Sequence, residues 1–74
     1  MAMAFVLLIS VLGFEDDILK VLKAIPGVRE AFKIYGVYDI ILKVEADTMD
    51  KIKEMIIKIR TMEKVRSTIS MIVI

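Results

Sequence analysis

Two segments of this chain repeat one short pattern half a chain-length apart: Ile25-Pro26-Gly27-Val28-Arg29 and Met62-Glu63-Lys64-Val65-Arg66. Each follows an amphipathic stretch and opens an apolar, β-branched one. A chain whose halves both run strand, helix, strand has few ways to bury all of its apolar faces. The compact solution is a pseudo-symmetric split βαβ sheet with both crossover helices on one side.

Each half reads clearly. Ala4 to Leu12 is an apolar run of strand length closed by Gly13. From Phe14 the period changes, and Phe14, Ile18, Val21, Leu22 and Ile25 form one face of a helix. Glu15, Asp16 and Asp17 in its first turn and Lys20 and Lys23 later suit the helix dipole, and Pro26-Gly27 ends it. Val28 to Tyr35 alternates, with Val28, Phe32 and Ile34 expected on one face and Arg29, Lys33 and Tyr35 on the other. Gly36-Val37 predicts a tight turn into a strand over Tyr38 to Ala46, where Ile40, Leu42 and Val44 oppose Lys43 and Glu45. Asp47 or Thr48 can cap a second helix with the stripe Met49, Ile52, Met55, Ile56, Ile59 and Met62, and Val65 to Ile74 closes as a strand. The expected class is α+β, ferredoxin-like βαββαβ: a four-stranded antiparallel sheet with two helices on one face, as one domain over residues 1–74.

The first strand sets a further demand. Phe5-Val6-Leu7-Leu8-Ile9 is apolar on both sides, and the last strand ends Met71-Ile72-Val73-Ile74. A sheet with one wet face should show a polar residue at alternate positions. With 58% hydrophobic residues in 74, the chain has too little interior to hide them all. The Met1–Phe14 run is shorter than the roughly 20 residues that span a bilayer, and no basic residue precedes it as in a secretory signal. The expectation is therefore a cytoplasmic protein without a membrane role, dimerising through the sheet face opposite the helices.

Eleven basic and ten acidic residues are interspersed, which gives no basic stripe for nucleic acid. Cys and His are absent, which removes thiolate metal sites, the commonest general base and the commonest metal ligand. No serine precedes a plausible activating base, and Gly13, Gly27 and Gly36 are isolated, so no phosphate-cradling loop is present. No catalytic residue, metal or cofactor is expected, and no enzyme. The missing Asn and Gln beside abundant Ile, Lys and Glu are a weak mark of life at high temperature.

Hydrogen-bonding groups gather at Tyr35-Gly36-Val37-Tyr38-Asp39 and at Ser67-Thr68-Ile69-Ser70. On spacing alone these also read as a self-contained turn, with Asp39 tying down its own loop, and as a strand with small polar residues on its wetter face. Taken with Ile25-Pro-Gly-Val28 in the same order, however, they resemble the RAM domain (regulation of amino-acid metabolism), the effector domain of the Lrp/AsnC regulators. The resemblance covers nearly the whole chain. It implies sheet-mediated dimers that gather into higher oligomers, and a free amino acid bound between dimers against the hairpin. Gly36, Val37, Tyr38 and Asp39 would hold the ligand, with Ser67, Thr68 and Ser70 near it or near the adjoining subunit. Members usually carry a helix-turn-helix ahead of this domain, and here the sequence starts at the first strand, so direct DNA reading is not expected. Two roles stay open: an oligomeric amino-acid sensor that modulates transcription regulators, including full-length Lrp/AsnC-type partners, or a scaffold that forms mixed oligomers without a working ligand site. A small ferredoxin-like enzyme is a third, disfavoured by the missing His and by the lack of an Arg-bearing anion loop.

Overall fold

A computed structural model describes all residues, Met1–Ile74. The elements are β1 (Ala2–Ser10), α1 (Glu15–Lys23), β2 (Val28–Lys33), β3 (Ile40–Ala46), α2 (Met49–Arg60) and β4 (Val65–Ile72). The strands form one antiparallel sheet in the order β2-β3-β1-β4, which is the ferredoxin-like arrangement expected.

The core lies between one sheet face and the helices. Ala4, Val6 and Leu8 of β1, Ala31 of β2 and Ile40, Leu42 and Val44 of β3 meet Ile18 and Leu22 of α1 and Ile52, Ile56 and Ile59 of α2. The α1 stripe is narrower than its periodicity suggests, because Val21 is 52% exposed. Thr48 caps α2, its hydroxyl accepting from the Lys51 N–H at 3.3 Å. α1 has no side-chain cap at Phe14; the Glu15 carboxylate turns back to accept from the Gly13 N–H instead.

The repeated junctions adopt one conformation. Gly27 and Lys64 both have positive φ, +97° and +76°. The bonds Ile25 N–H to Leu22 O and Val28 N–H to Ile25 O recur as Met62 N–H to Ile59 O and Val65 N–H to Met62 O. The sequence echo is thus a repeated left-handed helix exit.

β2 departs from simple alternation. The register shifts between Val28 and Glu30, so Val28 pairs with Val44 while Ala31 pairs with Leu42 and Phe32 with Ile41. This bulge at Arg29 changes the parity of the strand. Ala31 becomes core at 4% exposure, and Phe32, expected on the face of Val28, is 56% exposed on the other side. The hairpin is also wider than a two-residue turn. β2 stops at Lys33 and β3 begins at Ile40, with the loop closed by the Ile34 N–H to Asp39 O bond at 2.9 Å.

The face away from the helices is apolar across its width. Phe32, Ile41, Leu7 and Ile69 line up in one row over all four strands. Phe5 and Met71 continue it in the next row, beside the ion pair Lys43–Glu30 at 4.0 Å. No helix is long and apolar enough to cross a membrane.

Candidate functional site

The hairpin loop hangs from β1 by one carboxylate. Asp39 Oδ2 accepts from the Ser10 N–H at 2.9 Å, and the Asp39 N–H donates to Leu8 O at the same distance. Asp39 therefore does not merely tie down its own loop; it clips the loop to the end of the central strand. An aspartate suits the task because its short side chain reaches a neighbouring backbone N–H without losing much rotamer freedom. Tyr35, Gly36 and Val37 project freely into solvent, while Tyr38 is half-buried. Gly36 has φ +142° and nothing near the space a Cβ would occupy, so its backbone is open to close approach.

A cleft of about 480 Å³ opens between this loop and the start of α1, lined by Glu15, Asp16, Lys33, Ile34, Tyr35 and Asp39. Lys33 Nζ lies 2.7 Å from Asp16 Oδ1. The hydrogen bond that Lys33 donates to Asp16, then the negative charge of Asp16, hold the ammonium above the ordinary lysine range. Three carboxylates face one ammonium, so the cleft is net acidic.

The second group of residues lies across β1. Thr68 pairs with Leu8 and Ser70 with Val6, which puts both on the helix side; Ser67 pairs with Ile9 on the open sheet side. Ser67 and Thr68 line a separate cleft of about 320 Å³ with Arg60, Val65 and Arg66. The fold thus brings Gly36–Asp39 and Ser67–Thr68 to the same end of the sheet but on opposite flanks of β1. Within one chain they share no cleft, and Ser70 lies further along the strand.

Sequence reasoning missed two residues here. Ser10, 5% exposed, supplies the N–H that anchors Asp39, and its own hydroxyl is buried without a partner. A single serine ending an apolar run carried no signal of that pairing. Arg60, a lone charge at the end of α2 with no motif around it, is the other: it walls the Ser67–Thr68 cleft. No group of His, Cys, Asp and Glu is placed to hold a metal ion.

The family model described as the Lrp/AsnC ligand binding domain matches residues 4–74. Among solved structures, FFRP-DM1 superposes with a TM-score of 0.97 at 41% identity, with 100% of each chain covered. The hypothetical protein PHS023 from Pyrococcus horikoshii gives 0.94 at 41% identity, over 100% of this chain and 90% of that one. AsnC of E. coli gives 0.89 at 28% identity, with 99% of this chain covering 50% of the regulator. Curated proteins of similar sequence include homocitrate synthases. That of Sulfurisphaera tokodaii is 42% identical over 53 residues, 72% of this chain and 12% of the enzyme. That of Saccharolobus solfataricus is 34% identical over 61 residues, 82% and 13% respectively. The likeness is to one small segment of those enzymes. Matched along residues 4–74 and superposing on AsnC, this chain belongs to the Lrp/AsnC ligand-binding domain family.

Proposed function

We propose that the chain is an amino-acid-binding effector module, one unit over residues 1–74, that self-associates through its open sheet face and modulates regulators by co-assembly. The observation that carries the ligand reading is the Gly36 loop, clipped to β1 by Asp39 and presenting open backbone beside a cleft of about 480 Å³. An α-amino acid places a carboxylate and an ammonium side by side, so its site needs backbone donors next to acceptors. An exposed glycine turn supplies the first and the acidic cleft the second. The apolar row Phe32–Ile41–Leu7–Ile69 supports pairing of two sheets, since an exposed patch of that kind is otherwise costly to leave in water.

A thermal-shift screen of the twenty amino acids tests the reading. A ligand at 100 times its Kd adds about 2.7 kcal/mol of apparent stability. Calorimetry on the best ligand then separates two roles of Asp39. Asp39→Ala removes the clip, whereas Asp39→Asn keeps an oxygen for the Ser10 N–H and removes the charge. If the carboxylate meets the ligand's ammonium, both variants bind at least tenfold weaker, about 1.4 kcal/mol. If Asp39 only holds the loop, Asp39→Asn binds like the wild type. Gly36→Val blocks approach to the loop in either case. No binding of any amino acid to the wild type would leave the scaffold role, formation of mixed oligomers without a ligand.

The similarity to homocitrate synthases supports a second reading of the partner. A module of this family that forms a segment of an enzyme can act on an enzyme, not only on a DNA-bound regulator. Copurification of the tagged chain with a metabolic enzyme, in place of a helix-turn-helix regulator, would select it.

A further inference from the structure

The two halves of the chain build one cleft twice. In the first half, Lys23 at the end of α1 and Val28, Arg29, Glu30 and Ala31 at the start of β2 line a cleft of about 370 Å³. In the second, Arg60 at the end of α2 and Val65, Arg66, Ser67 and Thr68 at the start of β4 line one of about 320 Å³. The two sets correspond residue for residue, half a chain-length apart. The backbone repeats with them. Val28 pairs with Val44 and Glu30 with Lys43, which leaves Arg29 as the extra residue of a bulge. Val65 pairs with Ser10 and Ser67 with Ile9, which leaves Arg66 in the same position. A bulge re-aims the side chain it carries, so the backbone sets both arginines alike.

The cations are kept and the anions are not. Arg29 Nε lies 3.5 Å from Glu45 Oε1, and Glu30 stands in the wall of the first cleft. A repeated hydrogen bond fixes the counterpart of Glu45. The Glu45 N–H donates to Gly27 O and the Val11 N–H to Lys64 O, each at 2.8 Å. Val11 therefore stands where the first half has its carboxylate. Ser67 takes the place of Glu30, and Thr68 that of Ala31. Neither Arg60 nor Arg66 forms an ion pair, with Glu63 of the intervening turn or with any other carboxylate. The first cleft supplies its own anions; the second holds two guanidiniums beside hydroxyl-bearing residues and supplies none.

We infer that the Arg60–Arg66 cleft binds a phosphoryl group, as free phosphate or carried on a small metabolite. Each guanidinium presents a planar fork of donors that matches a pair of phosphate oxygens. Two forks offer more donors than the two oxygens of a carboxylate can use, and their two charges suit a dianion. Two like charges in one wall also raise the positive potential there and draw anions in. The site lies across β1 from the hairpin loop and does not depend on an amino acid binding there.

The test titrates the isotope-labelled protein by NMR at constant ionic strength, with inorganic phosphate, glycerol phosphate and, as the carboxylate control, acetate. Both phosphates are expected to shift the amide signals of Arg66, Ser67 and Thr68 saturably. Those of Arg29, Glu30 and Ala31 should stay still, and acetate should bind at least tenfold weaker. Affinity for glycerol phosphate should rise from about pH 5 to about pH 7, because a phosphoryl group takes its second charge near pH 6 while arginine does not titrate. Val11→Glu restores the missing carboxylate and should weaken phosphate binding at least tenfold; Val11→Gln, of similar size without the charge, should bind like the wild type. Tighter binding of glycerol phosphate assigns the site to a phosphorylated metabolite, and tighter binding of inorganic phosphate to the free ion. Equal shifts in both clefts, shifts that never saturate, acetate binding as well as phosphate, or a folded Val11→Glu that binds unchanged each overturns the site. Should Val11→Glu fail to fold, the wild-type comparison of the two clefts and the three anions decides it.

Discussion

Gly27 and Lys64 occupy the same left-handed helix exit with different means of support. Lys64 bears a side chain at φ +76°, at a cost of about 1–2 kcal/mol. Its Nζ stacks 4.6 Å from the Phe14 ring, a contact that recovers part of that cost. Gly27 has no such latitude. A Cβ there would lie 2.9 Å from Glu45 O and 2.7 Å from Met55 Cε, and only the methionine can swing aside. Gly27→Ala is expected to destabilise by about 2–4 kcal/mol in urea unfolding. A loss under about 1 kcal/mol would mean that the junction relaxes. Ser10 makes the opposite case. Its buried hydroxyl has no partner, so Ser10→Ala should stabilise by about 1 kcal/mol in the same assay. The Asp39 clip should survive that change, because it uses the Ser10 backbone and not its side chain.

At the scale of elements, β1 decides most. Its even positions Ala4, Val6 and Leu8 are sealed under the helices, and its odd positions Phe5 and Leu7 face outward. Leu8→Lys buries an unpaired ammonium where exposure is 0%, and is expected to unfold the chain, costing more than about 4 kcal/mol. Leu7→Lys should change monomer stability by only about 1 kcal/mol while abolishing sheet pairing, as measured by sedimentation. If Leu7→Lys paired like the wild type, the open face would not be the dimer surface. α2 carries a similar question on its outer side. Ile57 is 57% exposed, opposite the buried Ile52, Ile56 and Ile59. Ile57→Lys is expected to leave both melting and assembly size unchanged, within about 0.5 kcal/mol. A smaller assembly would reveal a contact on the helix layer.

Over the whole molecule, the chain has three surfaces of different chemistry: a helix layer covered with mixed charge, an open apolar sheet face, and a sheet end with an acidic and a basic cleft. Much of this architecture is legible in the sequence. Helix periods, a cap at Asp47 or Thr48, the paired junctions and the order of elements are local, because each depends on residues within a turn or two of one another. The Tyr35–Asp39 and Ser67–Ser70 segments are equally visible as motifs. What tertiary structure alone decides is non-local. A strand apolar on both sides has no alternation from which to read its parity, so only packing chose Leu8 over Leu7. A bulge is invisible until a partner strand defines the register, so Phe32 and Ala31 exchange the faces that simple alternation gives them. The clip between Asp39 and Ser10 spans 29 positions, and the separation of the two motifs by β1 follows from a strand order that no local pattern encodes. The sequence by itself determined the elements, their succession and the groups that carry chemistry; the assembled sheet determined which of those groups meet, because strand pairing joins residues far apart in the chain.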